Sequence, residues 1–101
     1  MENEYMALPA IRNIMERKSV RSYDSRTVEE EKIDAILRAG MAAPSGKNVQ
    51  PWELVVVSDR ARLEAMAEAL PYAKMLKDAP VAIVVAADTR KSPYWYVDCS
   101  A

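Results

Sequence analysis

Two short stretches set the terms for folding this chain: ELVVVS, Glu53 to Ser58, and VAIVVAA, Val81 to Ala87. Each is a continuous apolar, β-branched run bounded by turn-forming residues, the pattern of a buried strand. No other stretch of the 101 residues has that character. Two strands alone rarely make an independently stable sheet. The chain is therefore expected to need further strands, from later sequence or from a partner chain.

Helical patterns surround the two runs. Ile11, Ile14, Met15 and Lys18 recur at helical spacing, which predicts a first helix over Leu8 to Arg17. Thr27 followed by Glu30 has the spacing of a capping box. It precedes Ile33, Ile36, Leu37, Gly40 and Met41 on one face of a second helix, which ends near Ala43 because Pro44 cannot continue it. Asp59 is a candidate N-cap for a third helix lined by Leu63, Met66, Ala67 and Leu70, and Pro71 interrupts that helix. YAKMLKDA reads as one or two further helical turns. VAIVVAA is the candidate central strand, and Ser92-Pro93 opens a last helix with proline at its first position. The order is α, α, β, α, β, α, in one domain at most. The chain ends at Ala101 inside this last helical pattern, with no C-cap, so the domain is expected to continue beyond residue 101.

Composition excludes several chemistries. There is no histidine, the commonest general base and metal ligand, and Cys99 is the single cysteine. An internal disulfide, a thiolate zinc cluster and a histidine-based triad are all excluded. No side chain stands out as a nucleophile and no metal set is expected, so a cofactor would supply the reactive atom of any catalysis. The 14 basic and 15 acidic side chains nearly cancel, which favours neither nucleic acid nor an anionic membrane as partner. No run approaches the length of a membrane span. The N-terminus MENEYMALPA carries acidic residues where a secretory leader carries basic ones, so a cytoplasmic location is expected.

Two polar clusters are candidates for binding. Arg17, Lys18, Ser19 and Arg21 place three cations and a hydroxyl within five residues, the donor set a phosphate monoester requires. In an extended backbone Arg17, Ser19 and Arg21 would project to one side. The competing explanation is that cations at a helix C-terminus only favour the macrodipole and are solvated. The second cluster is APSGKNVQPW, Ala43 to Trp52, which holds one of the two glycines of the chain. Gly46 would permit an unusual backbone angle or a close approach to a ligand, and Ser45 and Asn48 could donate to a heteroaromatic edge. The alternative is a plain helix-to-strand turn. The spacing fits neither a P-loop nor a dinucleotide fingerprint. Tyr94, Trp95 and Tyr96 suit burial at an interface, and Cys99 reads as a small packed residue.

Taken together, RKSVR after the first helix, the VEEEKIDAILRAG helix, the PSGKNVQPW loop and Asp78-Ala79-Pro80 opening a hydrophobic strand resemble the nitroreductase family of FMN-dependent oxidoreductases. The likeness runs from about Ile11 to the last residue. It implies an α+β, three-layer α-β-α fold with a central mixed sheet in an intertwined homodimer, of which this chain covers the N-terminal part. It also implies FMN at the subunit interface, with NADH or NADPH as electron donor and a nitroaromatic, quinone or flavin as small-molecule acceptor. Carried over by position, Arg17 and Ser19 contact the FMN phosphate with Lys18 nearby, and Arg21 reaches the ribityl chain or the N1/O2 edge of the ring. Pro44, Ser45, Gly46 and Asn48 lie against the ring from the other subunit, and Lys74 is near it. The alternative reading is a small non-catalytic α/β module that dimerises and binds an anion or a protein.

Overall fold

The computed structural model describes residues 3–101. A 3₁₀ turn, Glu4–Ala7, is capped by the Asn3 side chain, which accepts the Tyr5 N–H at 3.0 Å. Leu8 is extended, as a residue before proline prefers, and Pro9 begins α1, Pro9–Glu16. An extended, irregular stretch then leads to α2, Glu30–Met41.

The predicted capping box does not form. Glu29 is the N-cap of α2, and no side chain caps the helix. Thr27 lies two residues outside, where its hydroxyl cannot reach the first free amides. Glu29 instead pairs its carboxylate with Lys32 Nζ at 2.8 Å. At the other end, the Ala42 N–H is shared between the Arg38 and Ala39 carbonyls and Ala43 bonds back to Gly40. The last turn is thus tightened before Pro44.

Strand β1, Trp52–Val57, is followed by α3, Arg60–Ala69, whose N-cap Asp59 accepts the Arg62 N–H at 3.2 Å as expected. Leu63 and Ala67 are buried on α3. Leu70 falls just past the helix in an extended conformation and is 45% exposed, because Pro71 disfavours a helical residue before it. The YAKMLKDA segment contributes one 3₁₀ turn, Lys74–Lys77, packed on α3. The Arg60 guanidinium donates to the Lys77 and Ala79 carbonyls and ties this turn and Asp78-Ala79-Pro80 to the start of α3.

Strand β2, Ala82–Ala87, pairs antiparallel with β1 in a register that sets Trp52 opposite Ala87, Leu54 opposite Val85 and Val57 opposite Ala82. Among the described residues β2 has β1 as its one neighbour, so it is not flanked on both sides as a central strand would be. The last helix, α4, spans Trp95–Ser100 and rests on both strands. Its start differs from expectation. Pro93 sits in a turn ahead of the helix, where Ser92 Oγ accepts the Tyr94 N–H at 3.0 Å, and Tyr94 is the N-cap.

The core is small. Leu63 and Pro51 are the large residues that are fully buried, with Ala67 and Ala79 beside them in the interior. Large apolar side chains are exposed on α1, α2, α4 and both strands, among them Ile14, Ile36, Val55, Val85 and Val97. The accessible surface is 8520 Å², whereas a compact chain of 11.3 kDa would expose about 5,700 Å². The radius of gyration, 16.4 Å, likewise exceeds the roughly 13 Å of a compact domain of this length. These apolar faces are built to be covered. Among the described residues no helix is long and apolar enough to cross a membrane.

Candidate functional site

The cationic segment starts where α1 ends. Arg17 is the C-cap residue, with an extended backbone, and residues 17–21 adopt neither helix nor turn. The last turn of α1 contains no basic residue, so the cluster lies past the helix rather than within it. Arg17, Lys18, Ser19 and Arg21 are all exposed, and none makes a hydrogen bond or ion pair with another described residue. The acids that could neutralise them are engaged elsewhere. Glu16 pairs with Arg12 at 3.3 Å, and Asp24 pairs with Arg26 at 2.8 Å while also accepting the Arg26 N–H. Tyr23 turns its hydroxyl back to the Val20 carbonyl at 2.9 Å. Three cations and a hydroxyl are thus left facing outward, a donor set suited to a doubly charged oxyanion.

The second cluster is built differently from expectation. Gly46 does not have a positive φ; Lys47 (φ 55°), Asn48 (φ 55°) and Gln50 (φ 52°) do. Three non-glycine residues in the left-handed region within four positions are costly, at about 1–2 kcal/mol each. Local bonds hold the loop in this shape. Ser45 Oγ accepts the Gln50 N–H at 3.0 Å, the Ser45 carbonyl accepts the Asn48 N–H at 3.0 Å, and the Gly46 carbonyl accepts the Val49 N–H at 3.2 Å. Nor is Gly46 needed for a close approach: a Cβ there would stand 3.5 Å from Tyr94 Cδ2, an ordinary contact. Ser45 and Gly46 are half-buried, and Pro44 and Asn48 are exposed. Asn48 keeps its side chain outward.

One residue of this site was not singled out from the sequence. Asp98, on α4, is 6% exposed, and its Oδ1 accepts the Gly46 N–H at 3.1 Å across 52 positions of chain. Its Oδ2 is buried with no partner among the described residues. The available signal was a lone carboxylate inside the apolar, aromatic pattern YWYVDCSA.

Among the described residues no side-chain hydrogen bond or ion pair joins the two clusters. Arg17 lines an open cleft of about 530 Å³ with Asn13, Ile14 and Glu16. Beyond the loop, Gln50 and Trp52 line another of about 520 Å³ with Met41 and residues of β1. Neither cleft includes a residue of the other cluster. Lys74 lies at the far end of α3, where its Nζ donates to the Glu68 carbonyl at 3.3 Å.

Known proteins resemble this chain in sequence and fold. The model of the nitroreductase family matches residues 14–71, more than half of the chain. A protein of Archaeoglobus fulgidus, provisionally named an NADH dehydrogenase/NAD(P)H nitroreductase, is 45% identical over 90% of this chain and 55% of its own length. A crystal structure from Bacteroides thetaiotaomicron with the same provisional name superposes with a TM-score of 0.90 at 66% identity, covering 91% of this chain and 55% of that one. An FMN-dependent nitroreductase of Clostridium difficile superposes with a TM-score of 0.81 at 40% identity, over 84% of this chain and 50% of its own. The chain spans about half the length of the relatives it matches. Matched along its sequence and throughout its backbone, the chain belongs to the nitroreductase family.

Proposed function

We propose that this chain carries FMN-binding elements of an NAD(P)H-dependent oxidoreductase, which passes electrons to nitroaromatic, quinone or flavin acceptors in ping-pong order. The observation that carries this reading is the outward-facing set of Arg17, Lys18, Ser19 and Arg21, whose neighbouring acids are already paired. Its complement is the loop at residues 44–50, in which Lys47, Asn48 and Gln50 are left-handed and Ser45 and Gly46 are not.

The residues present fit the group. Arg17 and Ser19 would hold its phosphate through charge-assisted and hydroxyl hydrogen bonds, with Lys18 adding charge. Arg21 would sit at the ribityl chain or the N1/O2 edge, where a fixed positive charge favours negative charge on the ring. Pro44, Ser45, Gly46 and Asn48 would lie against the ring from a second copy, since the cleft beside Arg17 holds none of them. FMN, when bound, supplies the electron carrier that the side chains lack. The excess of exposed apolar surface supports a homodimer as the functional unit.

Fluorescence titration tests the reading. The purified protein should quench FMN at micromolar concentrations. Arg17→Ala combined with Ser19→Ala should weaken binding by at least tenfold, with the sedimentation coefficient unchanged. Each lost phosphate contact is worth about 1.5–3 kcal/mol where charge is involved. A wild-type protein that leaves FMN fluorescence and absorption unchanged would refute the assignment and favour the dimerising module.

A further inference from the structure

Among the described residues Asp98 is the buried carboxylate, and its placement is unusual in two respects. It sits in an apolar helix at 6% exposure, and it spends one oxygen on a backbone amide far away in sequence, that of Gly46. The other oxygen, Oδ2, is buried with no donor among the described residues. A buried acceptor left unpaired costs free energy that leucine or alanine at this position would avoid. The contact Asp98 does make falls on the strained segment: Gly46 immediately precedes Lys47 and Asn48, both left-handed.

We propose that Asp98 is a positioning residue, which pins the Gly46 amide and so sets the backbone of residues 45–48 in the conformation that meets the ligand. The ring of Tyr94, the N-cap residue of α4, lies on the side of Gly46 where a Cβ would point, 3.5 Å from that position. Ser45 and Gly46 are thereby tied to α4 as well as by the bonds of their own turn, and α4 is in turn seated on both strands. The consequence for binding rests on the flavin reading above; the anchor itself does not.

Amide exchange and ligand binding test the two parts separately. In the wild-type protein the Gly46 amide should exchange at least tenfold more slowly than the amide of Lys47. Asp98→Leu, which keeps the size and removes the acceptor, should abolish that difference, speed tryptic cleavage after Lys47, and weaken FMN binding about tenfold. Asp98→Asn retains an acceptor oxygen and should restore both protection and affinity to within about threefold, a rescue that a general packing role would not produce. If the wild-type Gly46 amide exchanges as fast as that of Lys47, the anchor does not exist, whether or not either variant folds. Equal FMN affinity in wild type and folded Asp98→Leu would overturn the positioning role. A wild type that protects Gly46 but binds no FMN would support the anchor and overturn its assigned ligand.

Discussion

Truncating Leu63 is the most informative perturbation of the scaffold. Leu63 is fully buried on α3, and the residues that share its interior, Ala67 and Ala79, are too small to fill space on its behalf. Leu63→Ala removes three carbons, whose return to water costs about 2 kcal/mol at roughly 0.8 kcal/mol per methylene. The cavity adds to this, because short neighbours cannot swing into it, so a total of about 3 kcal/mol is expected. A chain of this size has about 5–15 kcal/mol of stability, so the loss is a large share of the whole. At a urea m-value of about 1.5 kcal/mol/M, the midpoint should fall by about 2 M with the slope unchanged. Leu70→Ala is the control: the same chemistry at a position 45% exposed should cost under about 1 kcal/mol. If Leu63→Ala costs no more than Leu70→Ala, the core does not lie where α3 meets the Lys74–Lys77 turn, and the account of how that segment is braced fails.

Other outcomes follow from single contacts. Asp59→Ala removes the acceptor for the Arg62 amide and should cost about 1 kcal/mol in urea unfolding, with faster exchange in the first turn of α3. Gly46→Ala should stay within about 0.5 kcal/mol of wild type, since its Cβ meets Tyr94 at ordinary contact distance. Lys47→Gly, which releases a left-handed non-glycine residue, should leave stability unchanged or raise it by up to about 1 kcal/mol. The Arg90 side chain and backbone N–H hold Asp88 below the usual carboxylate range, and the hydrogen bond from Lys32 does the same for Glu29. Stability from these pairs is in place above the ordinary carboxylate values and fades as pH falls through the depressed ones. Lys32, raised by Glu29, loses its share only as pH climbs through its elevated value. With no histidine to titrate between these limits, the urea midpoint should change little from about pH 5.5 to 7 and drop on acidification.

Most of the elements were legible because local rules governed them. Periodicity placed α2 and α3, Asp59 announced its own cap, and the two β-branched runs became the two strands within a residue of their expected limits. Where reading failed, a competing local interaction had won. Thr27 lost the helix start to Glu29, which had Lys32 as partner. Pro93 lost it to Tyr94, because Ser92 closed a turn first. Gly46 was the natural candidate for a left-handed backbone. The burden fell on Lys47, Asn48 and Gln50 because Ser45 and Asp98 hold the loop, and no sequence pattern reports a bond across 52 positions.

The sequence by itself determined the order of elements, the absence of acid–base and metal chemistry centred on histidine, and the two polar clusters whose combination marks the family. Those are properties of residue type and spacing, and they need no third dimension. Only the tertiary structure decided that Asp98 belongs to the loop and that the cations face outward with their acids spoken for. Each of these depends on which distant surfaces meet. That is settled by packing α4 on a two-stranded sheet too small to cover the apolar faces around it.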